Sequence, residues 1–360
     1  MFKELLEEDI EKGIRGENKG IPTGFKTIDA NINGIQKSIY TLVGGFAGSG
    51  KTSYVDLAYV LNPYNFWMEN KETTKIKIHW IYNSMERNTK YKLAKWTCLR
   101  LFQTDKIIMD VPTMLGWSGK KYEVTEHIKQ QIFKAGRYFD EMFSSGVITL
   151  VDGPQNPTGI FKRATEFALK NGKVIQVNEF TKRYIPNDEN LYVIIVNDHI
   201  GRLTSEVNGG VRLLEKSLID KHSEMMTSIR DRYGFIIVDI SQFNRSLGNI
   251  ERMKTKAVSP EPDDFKSSGD PYENCDVCIG LFNPYKLKIK DFLGYNIDKM
   301  VSSKGENRFR SVSIIKNTYG ADDIIVGLNF LGENGNFREM PIAEEFVKHP
   351  EYYNKVINYD

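Results

Sequence analysis

Nine residues, Gly44-Gly45-Phe46-Ala47-Gly48-Ser49-Gly50-Lys51-Thr52, carry the spacing GxxxxGK[ST] directly after the apolar run Ile39-Tyr40-Thr41-Leu42-Val43. A strand, a glycine-rich turn and a helix start together point successive backbone N–H groups at a polyphosphate, and the helix dipole favours its charge. Gly45, Gly48, Ser49, Gly50, Lys51, Thr52 and Ser53 are the expected cradle. Lys51 would bridge the β- and γ-phosphates, and the Thr52 hydroxyl would ligate Mg²⁺. The plainer reading, a glycine-rich turn with a surface lysine, leaves the match of both flanks unexplained.

Hydrolysis of a bound triphosphate also needs a carboxylate for the metal and a group that polarises water. Three apolar runs carry an aspartate at or near their ends: Val147 to Asp152, Tyr192 to Asp198 and Phe235 to Asp239. Asp198 is the choice for the metal, because it ends its run and opens into His199-Ile200-Gly201-Arg202-Leu203. Asp152 meets the same criterion, although Gly153-Pro154 suggests a tight turn; beyond Asp239, Ile240-Ser241-Gln242 continue the strand. Glu86, just past the run ending at Tyr82, is the candidate for activating water. Taken alone it reads better as a first-turn glutamate favoured by a helix dipole. His199 is a candidate phosphate sensor on the same terms, a lone histidine in a strand-exit loop being more often structural.

These groups need a frame, and the pattern supplies one. Continuous apolar strands separated by helical stretches, at Ser53 to Leu61 (ending near Asn62-Pro63), Thr89 to Phe102, Val124 to Phe143, Gly159 to Leu169 and Arg212 to Arg232, predict an α/β fold. Its sheet should be mostly parallel, with helices on both faces. Lys173 to Asn190 reads as an inserted hairpin, Pro260 to Asp276 as a mobile loop, and Ser311 to Ile315 with Ile324 to Phe330 as a terminal antiparallel hairpin. Phe2, Leu5, Leu6 and Ile10 suggest a short amphipathic helix broken at Gly13, which would cap its own domain or dock on a neighbouring subunit. Residues 1–20 are thus expected to be helix and linker, and 21–360 one ATPase-sized domain.

Composition excludes more than it assigns. With 40% hydrophobic and 27% charged residues the chain is neither disordered nor fibrous. A net charge of +2 leaves nucleic acid only a local basic surface to bind. The absence of a signal-like N-terminus or a long apolar run points to a cytoplasmic protein without membrane contact. Cys275 and Cys278 lie in an apolar run without further metal ligands, so they read as small core residues.

The ordered motifs resemble the motor domain of DnaB-type replicative helicases, within the RecA-like ATPases, over nearly the whole chain. Ile21 to Asp29 with Asn33 to Gln36 is similar to the segment that precedes that family's phosphate loop. Ser84-Met85-Glu86 resembles S-L-E-M, whose glutamate is catalytic, and Ser241-Gln242-Phe243-Asn244-Arg245 resembles S-Q-L-N-R, whose glutamine senses the γ-phosphate. Asn197-Asp198-His199 stands at the metal-binding aspartate, and Asp264 to Gly269 with Cys275-Asp276-Val277 resembles D-L-R-E-S-G…A-D-V, near the DNA-lining loop.

The resemblance implies a RecA-like core with a C-terminal antiparallel hairpin, using ATP and Mg²⁺. It implies a ring, a hexamer in this family, that translocates on single-stranded DNA during replication. Glu86, Lys51, Gln242 and Lys316 would be catalytic, Lys316 acting on the neighbouring subunit's nucleotide, with Thr52 and Asp198 at the metal. Arg245, Arg252, Lys254, Lys256 and Lys266 would contact DNA phosphates. Primase or a helicase loader are further family partners, and the compact form resembles helicases of bacterial viruses, which work in the host cytoplasm.

Two departures stand against this. The family's K-x-R-x-G is Lys316-Asn317-Thr318-Tyr319-Gly320 here, so threonine occupies the arginine-finger position and Lys316, Arg308 or Arg310 would have to serve. A short helix replaces the collar-forming N-terminal domain, so loader and primase contacts do not carry over. A RecA- or KaiC-like ATPase without unwinding activity, and a weakly hydrolysing nucleotide-binding assembly module, are the alternative expectations.

Overall fold

The apolar runs are strands because β-branched and aromatic side chains alternate between two buried faces, and here both faces are covered. The computed structural model describes residues 6–117, 124–208, 210–244, 252 and 258–359. Its main sheet comprises β1 (Tyr40–Gly45), β2 (Lys77–Ser84), β3 (Ile148–Asp152), β4 (Leu191–Asp198), β5 (Ile236–Gln242), β6 (Val277–Phe282), β7 (Phe309–Asn317), β8 (Ile324–Leu331) and β9 (Asn336–Glu339). They lie in the order β9-β8-β7-β6-β1-β5-β4-β2-β3. The first six strands run parallel, and the last three extend the β6 edge in antiparallel fashion. This is the RecA-like α/β arrangement expected from the sequence.

The helices are α1 (Glu8–Ile14), α2 (Lys26–Ile32), α3 (Lys51–Val55 continuing through Asp56–Leu61 and Asn62–Asn70), α4 (Thr89–Asp105), α5 (Val111–Met114), α6 (Glu126–Ser144), α7 (Pro157–Lys170) and α8 (Glu215–Tyr233). On one face Tyr82, Val196, Val238 and Ile240 pack with Tyr54 and Tyr59 of α3, Trp96 of α4 and Phe139 of α6. On the other, Ile81, Ile195, Ile237 and Cys278 pack with Ile160 and Ala164 of α7 and Met226 and Ile229 of α8. Cys275 and Cys278 are buried free thiols of that second layer. No described helix is long and apolar enough to cross a membrane.

Several boundaries differ from expectation. α3 does not stop at Asn62-Pro63; a π-helical turn over Asp56–Leu61 precedes the proline, and the helix runs on to Asn70. Proline cannot donate to the Tyr59 carbonyl one turn back, and the Trp80 indole N–H takes that carbonyl instead, at 2.8 Å. α1 passes through Gly13, whose cost of about 1 kcal/mol is too small to end it. α8 begins only at Glu215, because Val211–Arg212 pairs with Val207–Asn208. The Pro260 to Asp276 stretch is ordered into a 3₁₀ helix, Pro262–Ser268, and a short helix, Gly269–Asn274. Its anchor is Phe265, buried against Phe243 and so close over Gly44 that a Cβ there would lie 2.3 Å from the ring.

The expected hairpins form between Gly172–Gln176 and Lys182–Pro186 and between β7 and β8. The short β9, with one apolar core residue, gave no sequence signal; Phe337 holds it in place by stacking on Phe330 at 4.3 Å.

Candidate nucleotide site

β1 ends at the phosphate loop, and Gly50 there has φ +97°, a conformation that glycine adopts without strain; a Cβ would also meet Phe337 at 2.7 Å. The loop turns the chain into α3, and the carboxyl ends of β4 and β5 lie beside it. Together they border a cleft of about 560 Å³, a size that suits a nucleotide-class ligand. Gly48, Gly50, Lys51, Thr52, Ser53, Glu86, Asp198, His199 and Gln242 all line it, so the sequence-predicted groups converge from β1, β2, β4 and β5.

Lys51 Nζ donates to the Gly45 and Phe46 carbonyls at 2.7 and 3.0 Å. Burial pulls its ammonium down to about 8, with Glu86 and Asp198 opposing. The Thr52 hydroxyl donates to Asp198 Oδ1 at 2.9 Å. Burial alone would raise the Asp198 carboxyl, but the Lys92 ammonium and the hydrogen bonds from Lys92 and Thr52 outweigh it and hold it below the usual range. Glu86 is partly exposed, with its Oε2 4.0 Å from His199 Nε2. Burial pulls His199 below its ordinary value, opposed by Glu86 and Asp198.

The donors fit a magnesium–nucleotide pair. A threonine hydroxyl and one carboxylate are hard oxygens, and Mg²⁺ takes few protein ligands beside phosphate and water. Among the described residues no cluster of three His, Cys, Asp or Glu would hold a metal without such help. Ser49 Oγ is buried in the cradle without a described partner, as a group awaiting a ligand would be.

The rival aspartates are otherwise engaged. Asp152 accepts from the Thr89 N–H and hydroxyl at the start of α4, and Asp239 sits at 0% exposure on the far face, bonded to Tyr40, Asn197 and His222.

Lys316, Thr318, Arg308, Arg310 and Arg252 do not line the cleft. Lys316 Nζ donates to the Tyr272 and Glu273 carbonyls at 3.0 and 2.9 Å, and its partner in the sheet is Cys278, near the start of β6, well below the phosphate loop. Thr318 is bonded to the Asp276 carbonyl. Arg308 and Arg310 are both engaged within the chain. The first pairs with both Glu333 oxygens, and the second is buried on Phe330, donates to the Asn307 carbonyl, and is pulled down to about 10 by desolvation. Of the basic residues expected to meet DNA, Arg245, Lys254 and Lys256 lie outside the described residues, and Lys266 belongs to the 3₁₀ helix Pro262–Ser268. Arg252 donates to Asp264 Oδ1 and the Ser259 carbonyl, both at 2.7 Å, bracing its own loop.

Sequence reasoning missed Asp56, Lys92, Lys95 and Lys286. The first three line the cleft, and Lys286 Nζ caps the phosphate loop by donating to the Ala47 carbonyl at 2.7 Å. A signal was there for one pair: Lys92 shares a helical stripe with Trp96 and Leu99, and Asp56 lies in the apolar run Val55 to Leu61. Opposite charges at two core positions announce a buried pair.

Matches to solved structures agree with this fold. A solved ATPase domain superposes with a TM-score of 0.67 at 17% identity, covering 95% of this chain and 99% of that one. A DnaB-like replicative helicase, studied with its interactions with primase, matches with a TM-score of 0.65 at 16% identity over 95% of this chain and 67% of the other. The fold is that of a DnaB-type helicase ATPase domain. In this chain the phosphate loop after β1 and the carboxyl ends of β4 and β5 lie together at one end of the central strands, where the cleft lies. No protein-family model and no curated protein matches the sequence.

Proposed function

We propose that this chain is a Mg-ATP-dependent motor that assembles as a ring, a hexamer, and translocates on single-stranded DNA to separate duplexes during replication. The observation that carries the reading is the 2.9 Å bond from Thr52 to Asp198 in a cleft also bordered by Lys51, Glu86 and Gln242. Lys51 and the loop N–H groups bind and orient the polyphosphate. Thr52 and Asp198 hold Mg²⁺, which when bound neutralises charge developing on the phosphates. Glu86, at the mouth of the cleft, orients the attacking water and takes its proton. Gln242, which ends β5 and lines the cleft, would sense the terminal phosphate of a bound nucleotide and pass its loss to the loop that follows.

Lys316 lies too far down the sheet to serve its own cleft, which supports a nucleotide shared between subunits with Lys316 acting on the neighbour's phosphate. The half-exposed Leu6 and Ile10 and the exposed Ile14 give the N-terminal helical segment an apolar face that docks on the neighbouring subunit. Arg245, Lys254, Lys256 and Lys266 supply phosphate contacts in the channel.

A second reading, a weakly hydrolysing assembly module, draws on Thr318 at the finger position and on the burial of Arg308 and Arg310. Steady-state ATP hydrolysis by the wild type and Lys51→Ala, with and without single-stranded DNA at low salt, separates the two. The motor requires strong DNA stimulation that vanishes in Lys51→Ala, followed by displacement of a fork's strand. Flat, feeble turnover with nucleotide still bound favours the assembly module, and stimulation without displacement favours a RecA-like ATPase.

A further inference from the structure

Lys92 is only 2% exposed, and a buried ammonium is costly unless every hydrogen finds an acceptor. Its three hydrogens meet three acceptors: Asp198 Oδ2 at 2.9 Å, the Tyr82 hydroxyl oxygen at 2.6 Å, and the Asp56 carboxylate, with both oxygens at 3.3 Å. Tyr82 lies 2.7 Å from Asp56 Oδ1 and 3.1 Å from Asp198 Oδ2, and it has one hydrogen to give. The shorter contact takes it. Lys92 is then the donor to Asp198 Oδ2, while Thr52 is the donor to Oδ1.

The Asp198 carboxylate is therefore clamped at both oxygens by donors from two different helices, Thr52 of α3 and Lys92 of α4. Oδ1 is left beside the threonine hydroxyl on the side of the phosphate loop. The charges are also unequal: one ammonium faces two carboxylates, and the surplus negative charge borders the cleft. A pair built only to join α4 to α3 would need Lys92 and Asp56 alone. Here the Asp198 contact is the shorter of the two ion pairs, 2.9 against 3.3 Å.

We infer that Lys92 is a positioning residue for the divalent cation: it fixes the plane of the Asp198 carboxylate so that Oδ1 and the Thr52 hydroxyl face a nucleotide-bound metal together, and Asp56 and Tyr82 frame it. The inference rests on the reading of the cleft as a magnesium–nucleotide site. Partners that orient a metal ligand from behind typically change metal affinity 10–100-fold when lost.

The test is equilibrium binding of a fluorescent ATP analogue to the wild type, Lys92→Met, and the double variant Lys92→Met/Asp56→Asn, each in Mg²⁺ and in EDTA, with thermal unfolding alongside. The single variant leaves two carboxylates facing each other and loses stability; the double variant removes both charges and recovers it. The expected result is a Kd in Mg²⁺ raised about 10-fold or more in the double variant, with affinity in EDTA changed less than about 3-fold. A double variant that regains both its melting temperature and its wild-type affinity in Mg²⁺ makes Lys92 a structural ion pair and overturns the inference, even if Lys92→Met alone does not fold. A wild type that binds no more tightly in Mg²⁺ than in EDTA overturns the underlying site reading, and the inference with it.

Discussion

Asn197 and Asp198 are neighbours in β4, and the pleat sends their side chains to opposite faces of the sheet, where each anchors a buried polar network of a different kind. On the Asn197 side, Asn83, Asn197 and Asp239 are register partners across β2, β4 and β5. Asn83 donates to Asn197 at 2.8 Å, and Asn197 to Asp239 Oδ1 at 2.6 Å; the Tyr40 hydroxyl and His222 Nε2–H both donate to Asp239 Oδ2, at 2.7 and 2.9 Å. That row is sealed, and its carboxylate receives three donors. On the Asp198 side, Lys92, Asp56, Tyr82 and Thr52 form a cluster with a surplus carboxylate at the border of an open cleft. A hydrogen-bonded network sealed in a low-dielectric interior specifies one packing, whereas a network with acceptor capacity at a cleft can still take a ligand. The two faces of one strand thus divide the work of holding the sheet and binding.

The sharpest way to break this contrast is to remove each carboxylate. Asp239→Ala strips the acceptor from Tyr40, Asn197 and His222 at once, and orphaned buried groups cost roughly 1–3 kcal/mol apiece. We expect urea unfolding to register a loss of about 3 kcal/mol or more, with nucleotide affinity of the folded protein unchanged. Asp198→Ala should show the opposite balance, because Lys92 keeps Asp56 and Tyr82: affinity in Mg²⁺ collapses and the unfolding midpoint moves less. A reversed ranking would mean that the cleft-facing cluster holds the fold.

How much of this was legible beforehand follows the same division. The parallel strands, the phosphate loop and Asp198 were readable because each rests on local pattern: an apolar run, a glycine spacing, an aspartate at a strand end. The row on the sealed face was not, since Asn83, Asn197 and Asp239 become neighbours only through strand order and register, which no local pattern states. Lys92 and Asp56 were visible in the sequence as charges at core positions, but not what joins them. Each breaks the apolar stripe of its own helix, and the two offences cancel only once α3 and α4 lie side by side. Pro63 misled because its usual consequence was averted by a tryptophan from another strand.

A smaller effect is expected from Tyr82→Phe. The hydroxyl accepts from Lys92 and donates to Asp56, so its loss weakens the frame without touching the direct bond from Lys92 to Asp198. Denaturant unfolding should show a loss of about 1–2 kcal/mol. A loss as large as that of Asp239→Ala would place the cleft-side cluster among the principal supports of the fold.

The smallest expected change probes the outer end of the sealed row. Arg163 of α7 donates to Asn83 Oδ1 at 2.8 Å and to Gln155 Oε1 at 2.9 Å, while the Gln155 carbonyl accepts both the N–H and the hydroxyl of Thr204 in the loop after Asp198. Asn83 keeps its own bond to Asn197 when Arg163 is shortened, and the site is only partly buried, so water can replace the lost donor. Arg163→Met should therefore cost about 1 kcal/mol or less in global unfolding. Its signature should be local: faster amide hydrogen exchange at Thr204 and its neighbours, with exchange in β4 and β5 unchanged. If protection falls along those two strands as well, the row is keyed from the surface rather than sealed, and the loop that follows Asp198 is coupled to the strands that carry Asp198 and Gln242.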